Sequence, residues 1–183
     1  MTAPTLDAAL FWFRRDLRTT DNAGLYHALK SARRVHCVFV FDREILDALP
    51  DKKDRRVEFI WECIRELDGA LKKCGGGLMV RHARADELIP ALACELKVDA
   101  VFTNEDYEPQ AIARDLTVRD QLMKSNIGFH VFKDTVIFEK DEILTQVGGT
   151  YSVFTPYKNA WLKKLDAYQL KAYPVEKFCA RLA

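Results

Sequence analysis

The sequence predicts a doubly wound α/β fold: a five-stranded, Rossmann-like parallel sheet of order 3-2-1-4-5 with helices on both faces. Three observations predict it. Short apolar runs alternate with longer amphipathic segments up to residue 133. The runs are rich in β-branched and aromatic residues, as expected of strands buried on both sides. The segments between them place apolar residues three and four apart, the period of a helix with one buried stripe. Strands that alternate with helices are joined by right-handed crossovers, which makes the sheet parallel.

Residues 8–13 (AALFWF) form the first strand, and residues 22–31 a helix for which Asp21 is the expected N-cap. Residues 35–41 (VHCVFVF) form the second strand. In residues 55–74, Val57, Ile60, Ile64, Leu67 and Leu71 mark one helical stripe, stopped by Gly75-Gly76-Gly77. Residues 78–81 are a short third strand, 86–97 a helix and 100–103 the fourth strand. Pro109 opens a helix to Lys124, since proline is tolerated in a first turn. Residues 128–132 are the fifth strand. The pattern then changes: residues 134–150 are irregular, 151–165 end in a short helix, and the tail is mixed. The organisation expected is therefore a domain over residues 1–133, followed by an extension over 134–183.

Bulk properties limit the function classes. The 183 residues are 49% hydrophobic and 30% charged, enough apolar material for a sizeable core. A net charge of +1 neither requires nor excludes a nucleic-acid partner. No apolar run is long enough for a membrane span, and the N-terminus lacks the basic and apolar regions of a signal peptide. The five cysteines, Cys37, Cys63, Cys74, Cys94 and Cys179, are odd in number and show no C-x-x-C spacing. This points to a soluble, reduced, cytoplasmic protein with buried thiols. None of the four histidines stands at metal-ligand spacing, so no zinc site is expected.

In the predicted order, strands one and four are neighbours, and ligands of such sheets bind beyond the carboxyl ends of the strands where the winding reverses. The two turns there are WFRRDLRTTDN (residues 12–22) and NEDYEPQAIARD (residues 104–115). Neither contains a glycine-rich phosphate loop, which disfavours NAD or ATP bound in that style. Salt bridging of Arg14, Arg15 and Arg18 with the carboxylates of the second turn is the simpler reading for most of these charges. A catalytic carboxylate pair is the weaker one, because no nucleophile or metal ligand accompanies it. A third segment, TYSVFTPYKNAWLKKL (residues 150–165), interleaves aromatics with lysines. That composition suits nucleic-acid binding, or more simply an amphipathic helix that packs on a neighbouring domain.

Together, in this order and spacing over residues 10–165, the three segments resemble the N-terminal domain of the DNA photolyase and cryptochrome family. The resemblance implies an α/β domain that holds a light-harvesting antenna chromophore, beside a larger helical domain that holds FAD and binds DNA. In such proteins light drives an electron from FAD into a pyrimidine dimer flipped out of the duplex. The resemblance favours a class I-type bacterial photolyase, a lyase, with a cryptochrome-type signalling protein or a stand-alone nucleotide-binding domain as alternatives. These 183 residues contain no counterpart of the helical domain, so the chain by itself is expected to lack repair activity. The folate-binding pattern of the family has an Asn-Glu pair where this chain has Gln110 and Ala111, and a histidine where it has Pro50. The match therefore favours a deazaflavin or FMN over methenyltetrahydrofolate. It implies Phe39 as a stacking wall, Asp106 and Glu108 as acceptors, and Arg15 and Arg56 as pocket-lining donors. It also implies that Phe154, Tyr157 and Trp161 lie on the surface that meets the helical domain, a patch expected to pair two copies of the isolated chain.

Overall fold

Strand β1, Leu6–Phe13, runs through the middle of the molecule, and its last six residues are all buried. The structure, a computed structural model, describes residues 4–51 and 53–183. β1 pairs in parallel with β2 (Ala32–Asp42) on one side and β4 (Ala100–Asn104) on the other. β3 (Leu78–Ala83) and β5 (Gly128–Phe132) close the two edges, giving the order β3-β2-β1-β4-β5. This is the predicted order, reached because β1, with the longest wholly apolar run, can be covered on both faces.

Alternation along each strand divides the core into two layers. Phe11, Phe13 and Phe39 point to one face, where they meet helix α1 (Ala23–Ser31) and helix α3 (Arg55–Lys73) through Leu25, Leu29, Ile64, Leu67 and Leu71. Leu10, Trp12, Val38 and Val40 point to the other, against α4 (Ala85–Glu95) and α5 (Pro109–Lys124) through Ile89, Leu92, Val118 and Leu122. Each of these buried side chains contributes about 1.5–3 kcal/mol. The four-residue helix α2, Arg43–Leu46, follows β2 directly and was not evident from the periodicity.

Three expectations need correction. The N-cap of α1 is Asn22, whose side chain accepts from the Leu25 N–H at 3.0 Å. Asp21 instead takes a left-handed φ of 47° and accepts the Tyr173 N–H at 2.8 Å. The thiols are not generally buried: Cys37 is, Cys94 is exposed, and the other three are half-buried. The tail is ordered by its own contacts. Its 3-10 helix, Val175–Arg181, returns to the first core layer, where Val175 is buried and Leu182 bridges Val35. The segment has only seven residues, too few for periodicity to reveal it.

Helix α6, Phe154–Lys164, has no buried residue. Phe154 and Tyr157 are exposed as expected, whereas Trp161 is half-buried, edge-on to Phe138 at 5.5 Å. Among the described residues no helix is long and apolar enough to cross a membrane.

Candidate functional site

β1 ends at Phe13, opposite Phe39, and β2 runs three residues further to Asp42. Beyond them lies a cleft of about 180 Å³. Phe39, Phe41 and Trp12 come from the strand ends, Ile45 and Leu46 from α2, Ile60 from α3 and Ala85 from α4. The helix α2 exists because Asp42 caps it, accepting from the Glu44 N–H at 3.1 Å, and this turn folds Ile45 and Leu46 over the opening. Phe41 stands edge-on to Phe39 at 5.1 Å, so two aromatic rings form one wall.

The polar side of the cleft is a chain of alternating charges. Arg14 reaches Asp115 at 2.5 Å, Arg114 reaches Asp115 at 3.2 Å, and Arg114 faces Asp42 at 3.7 Å. Both guanidiniums lie over the Trp12 ring, Arg14 at 5.1 Å and Arg114 at 4.8 Å from its centroid. Arg14 also donates to the carbonyl of Asn104. At the mouth, Arg15 reaches Glu108 at 2.8 Å and Asp106 at 3.4 Å. The hydrogen bond to Glu108, then the field of Asp106, raises the Arg15 pKa above its ordinary value. The salt-bridging reading of the two turns thus holds for Arg14 and Arg15. Arg18 pairs instead with Asp134, at 2.7 Å.

Of the five residues put forward from the sequence, Arg15, Phe39 and Asp106 line the cleft. Glu108 sits beside it as the partner of Arg15. Arg56 is set apart: its side chain is 77% exposed and held at 2.5 Å by Asp54, the N-cap of α3. Arg56 holds Asp54 at about 2, through hydrogen bonding foremost. Local capture by a cap carboxylate two residues away wins over reaching across solvent. Sequence reasoning missed Trp12, Arg14, Phe41, Asp42, Ile45, Leu46, Ile60 and Arg114 as lining residues. Their signals were position, at strand ends, the cap of a very short helix and one helical stripe, and, for residues 41–46, the likeness of FDREIL to deazaflavin-binding members.

Behind the cleft, a second network ties the two turns together. Asn104, itself buried, accepts the Gly24 N–H at 2.7 Å and donates to Asp16 and to Asn22. Asn22 also donates to Asp16 at 2.9 Å. A Cβ on Gly24 would meet the Asn104 side chain at 2.5 Å, so glycine is required for this approach. Burial raises the Asp16 pKa above its ordinary 3.8, and Asp134 adds to it, against the lowering effect of the hydrogen bonds it accepts. A carboxyl raised in the folded state contributes stability below its unfolded pKa and loses it as pH rises through the folded value. Asp16→Asn keeps an acceptor for both amides and removes this titration. Its stability relative to the parent is therefore expected to increase as pH rises from about 4, which urea melts across that range will read. A flat difference with pH would contradict the assignment.

A wider cleft of about 280 Å³ lies beside Tyr107, with Glu105, Glu139, Lys140, Asp141 and Glu142 around it. The Tyr107 hydroxyl donates to Glu139 at 3.0 Å, and burial foremost raises its pKa. Its walls are charged and it has no apolar slot, so the smaller aromatic cleft is the better candidate for an organic ligand. Among the described residues no group of three His, Cys, Asp or Glu side chains is placed to hold a metal ion.

Residues 9–177 match the family model for DNA photolyase. The chain belongs to the DNA photolyase family. Among its curated relatives, the deoxyribodipyrimidine photo-lyase of Halobacterium salinarum is 37% identical, over 83% of this chain and 33% of that protein. The deoxyribodipyrimidine photo-lyase of a Synechococcus strain (PCC 6301) is 34% identical, over 88% of this chain and 32% of that protein. Among solved structures, an archaeal photolyase from Sulfolobus tokodaii superposes with a TM-score of 0.74 at 33% identity, covering 87% of this chain and 35% of that one. This photolyase-family chain therefore corresponds to the N-terminal α/β domain of such proteins and spans about a third of their length. It spans 53% of an uncharacterised 31.6 kDa protein of a second Synechococcus strain, with 37% identity.

Proposed function

We propose that the cleft at the ends of β1 and β2 binds a planar flavin-type antenna chromophore, a deazaflavin or FMN in preference to methenyltetrahydrofolate. In the intact protein, a cytoplasmic deoxyribodipyrimidine photo-lyase, the bound group would absorb light and pass the excitation to FAD in a helical domain that repairs pyrimidine dimers in DNA. The observation that carries this reading is the pairing of an aromatic and aliphatic slot with a charge-balanced polar edge beside the switch point of the sheet. A planar heteroaromatic ring needs both: apolar faces to displace water, and fixed donors and acceptors at its rim.

The residues present fit such a ring. Phe39 and Phe41 would flank one face, with Ile45, Leu46 and Ile60 on the other side. Arg15 would donate to a ring carbonyl and Asp106 accept from a ring N–H, each exchanging part of its present ion pair for the ligand. Glu108 would keep Arg15 oriented. Arg56, one helical turn from Ile60, would join by leaving Asp54. At about 180 Å³ the cleft suits a ring inserted from the mouth, with any side chain or phosphate outside near the exposed Arg15. The Sulfolobus tokodaii photolyase was solved with two FAD molecules and taken to imply a novel light-harvesting cofactor, which supports a flavin-type ring. The exposed face of α6 would pack on the helical domain and, in the isolated chain, pair two copies.

Titrating the purified chain with FMN, a deazaflavin and methenyltetrahydrofolate, followed by absorbance, tests the reading. A band shift is expected with the flavin-type rings, with folate at least about tenfold weaker, a difference of ~1.4 kcal/mol. Equal or tighter folate binding would overturn the preference, and no shift with any would overturn the site. Light scattering on the same chain at rising concentration tests the pairing, which a constant monomer mass would refute.

A further inference from the structure

Two cysteines outside the cleft stand on segments that touch. Cys74 is the C-cap of α3, and the loop after it curls back as the N–H groups of Cys74 and Gly76 both donate to the Leu71 carbonyl, at 3.0 and 3.1 Å. A Cβ on Gly76 would lie 2.6 Å from the Cβ of Leu182, so this loop lies directly against the end of the chain. Leu182 in turn donates its N–H to the Cys179 carbonyl at 3.0 Å, which closes the last turn of the 3-10 helix. The Cys179 thiol, which donates to the Val175 carbonyl at 3.9 Å, is pushed up to about 11 by burial and then by the neighbouring Cys74 thiol.

We infer that Cys74 and Cys179 form a reversible disulfide that latches the C-terminal 3-10 helix to the end of α3 under oxidising conditions. No other pair of cysteines is so disposed among the described residues: Cys37 is buried in the first core layer, and Cys94 lies on α4 across the sheet. Cys63 is about three helical turns from Cys74, on the order of 16 Å.

The chemistry is thiol–disulfide exchange with a low-molecular-weight disulfide such as oxidised glutathione. One cysteine thiolate attacks a glutathione sulfur, making a mixed disulfide and releasing one glutathione. The second cysteine, as its thiolate, attacks the protein-bound sulfur and releases the other glutathione. The two thiol protons end on two molecules of reduced glutathione, and the electrons balance. A cytosol keeps such a pair reduced, so the latch would close when the thiol pool is oxidised. Because thiolate is the nucleophile and Cys179 holds its proton firmly, closure should be slow at neutral pH and should speed up toward tenfold per pH unit.

The open state already holds this segment by single hydrogen bonds, from Arg181 to the Leu29 and Lys30 carbonyls and from Ala183 to Val35. The disulfide would close a loop of roughly 100 residues, one of the most effective lengths for constraining the unfolded chain. The expected effect is a rise of about 10 °C in Tm on oxidation, reversed by dithiothreitol.

The test uses the whole chain, incubated with a graded ratio of oxidised to reduced glutathione and digested without reduction. The inference predicts a single crosslinked peptide pair joining Cys74 to Cys179, absent from both C74S and C179S and retained in C63S and C94S. The parent chain's peptide map is decisive even if a variant folds poorly. Mixed disulfides that never resolve, crosslinks between copies through Cys94, or a Cys74–Cys179 bond that leaves Tm unchanged would each overturn the latch.

Discussion

Asn104→Leu is expected to lower stability by about 3–5 kcal/mol, the cost of leaving several buried polar groups without partners. The substitution keeps the branched shape with bulkier methyl groups, strands the Gly24 N–H, and removes one donor from the Asp16 carboxylate and another from the Asn22 side chain. Both charged turns hang on this residue, because its backbone carbonyl also receives Arg14. The expected readout is a fall in Tm of roughly 10 °C or more, with a lower urea midpoint and an unchanged urea slope. A neighbouring surface change gives the control: Glu108→Gln, on an exposed pair with Arg15, should stay within about 0.5 kcal/mol of the parent. Equal effects for the two substitutions would show that the switch-point network does not organise the turns.

Phe41→Ala has the largest expected effect on ligand binding for a modest cost in stability. Phe41 is half-buried, edge-on to Phe39 and tilted against Trp61 at 6.2 Å, so its removal opens the slot without hollowing the first core layer. Lost stacking and lost apolar contact together amount to about 2 kcal/mol, or roughly a 30-fold weaker chromophore affinity. Stability should fall by only about 1–2 kcal/mol, below the usual cost for a fully buried phenylalanine. Phe39→Ala is the contrasting change: Phe39 belongs to both the cleft and the core, so it should weaken binding and folding together. Phe41→Ala that melts lower yet binds FMN as the parent does would remove Phe41 from the site.

The sheet was legible because its strands are continuous apolar runs and its helices carry single stripes, signals that burial on both sides imposes. Pro109 and Gly75 marked ends correctly for stereochemical reasons, the first opening α5 and the second adopting a φ of 88°. The site was legible only in outline. The meeting of the two turns follows from strand order alone, and the Arg15–Asp106 contact lies on that line. The placement of Arg14 and Arg114 over Trp12 does not, because it depends on two long side chains folding back over a strand. Arg56 shows the opposite failure: a plausible donor in sequence is occupied by the cap residue beside it. The tail was opaque because its helix is a 3-10 segment of seven residues, too short for the spacing of Val175, Phe178 and Leu182 to stand out as a stripe. Thiol exposure was opaque too, since a cysteine count carries no information about which face a residue takes.

A crystal structure of the chain soaked with FMN tests the central claim most directly. The account predicts ring density in the cleft, against Phe39 and Phe41, with Arg15 and Asp106 at its edge and Glu108 behind Arg15. Ring density in the charged cleft beside Tyr107, or a cleft that stays empty while FMN binds elsewhere, would contradict it.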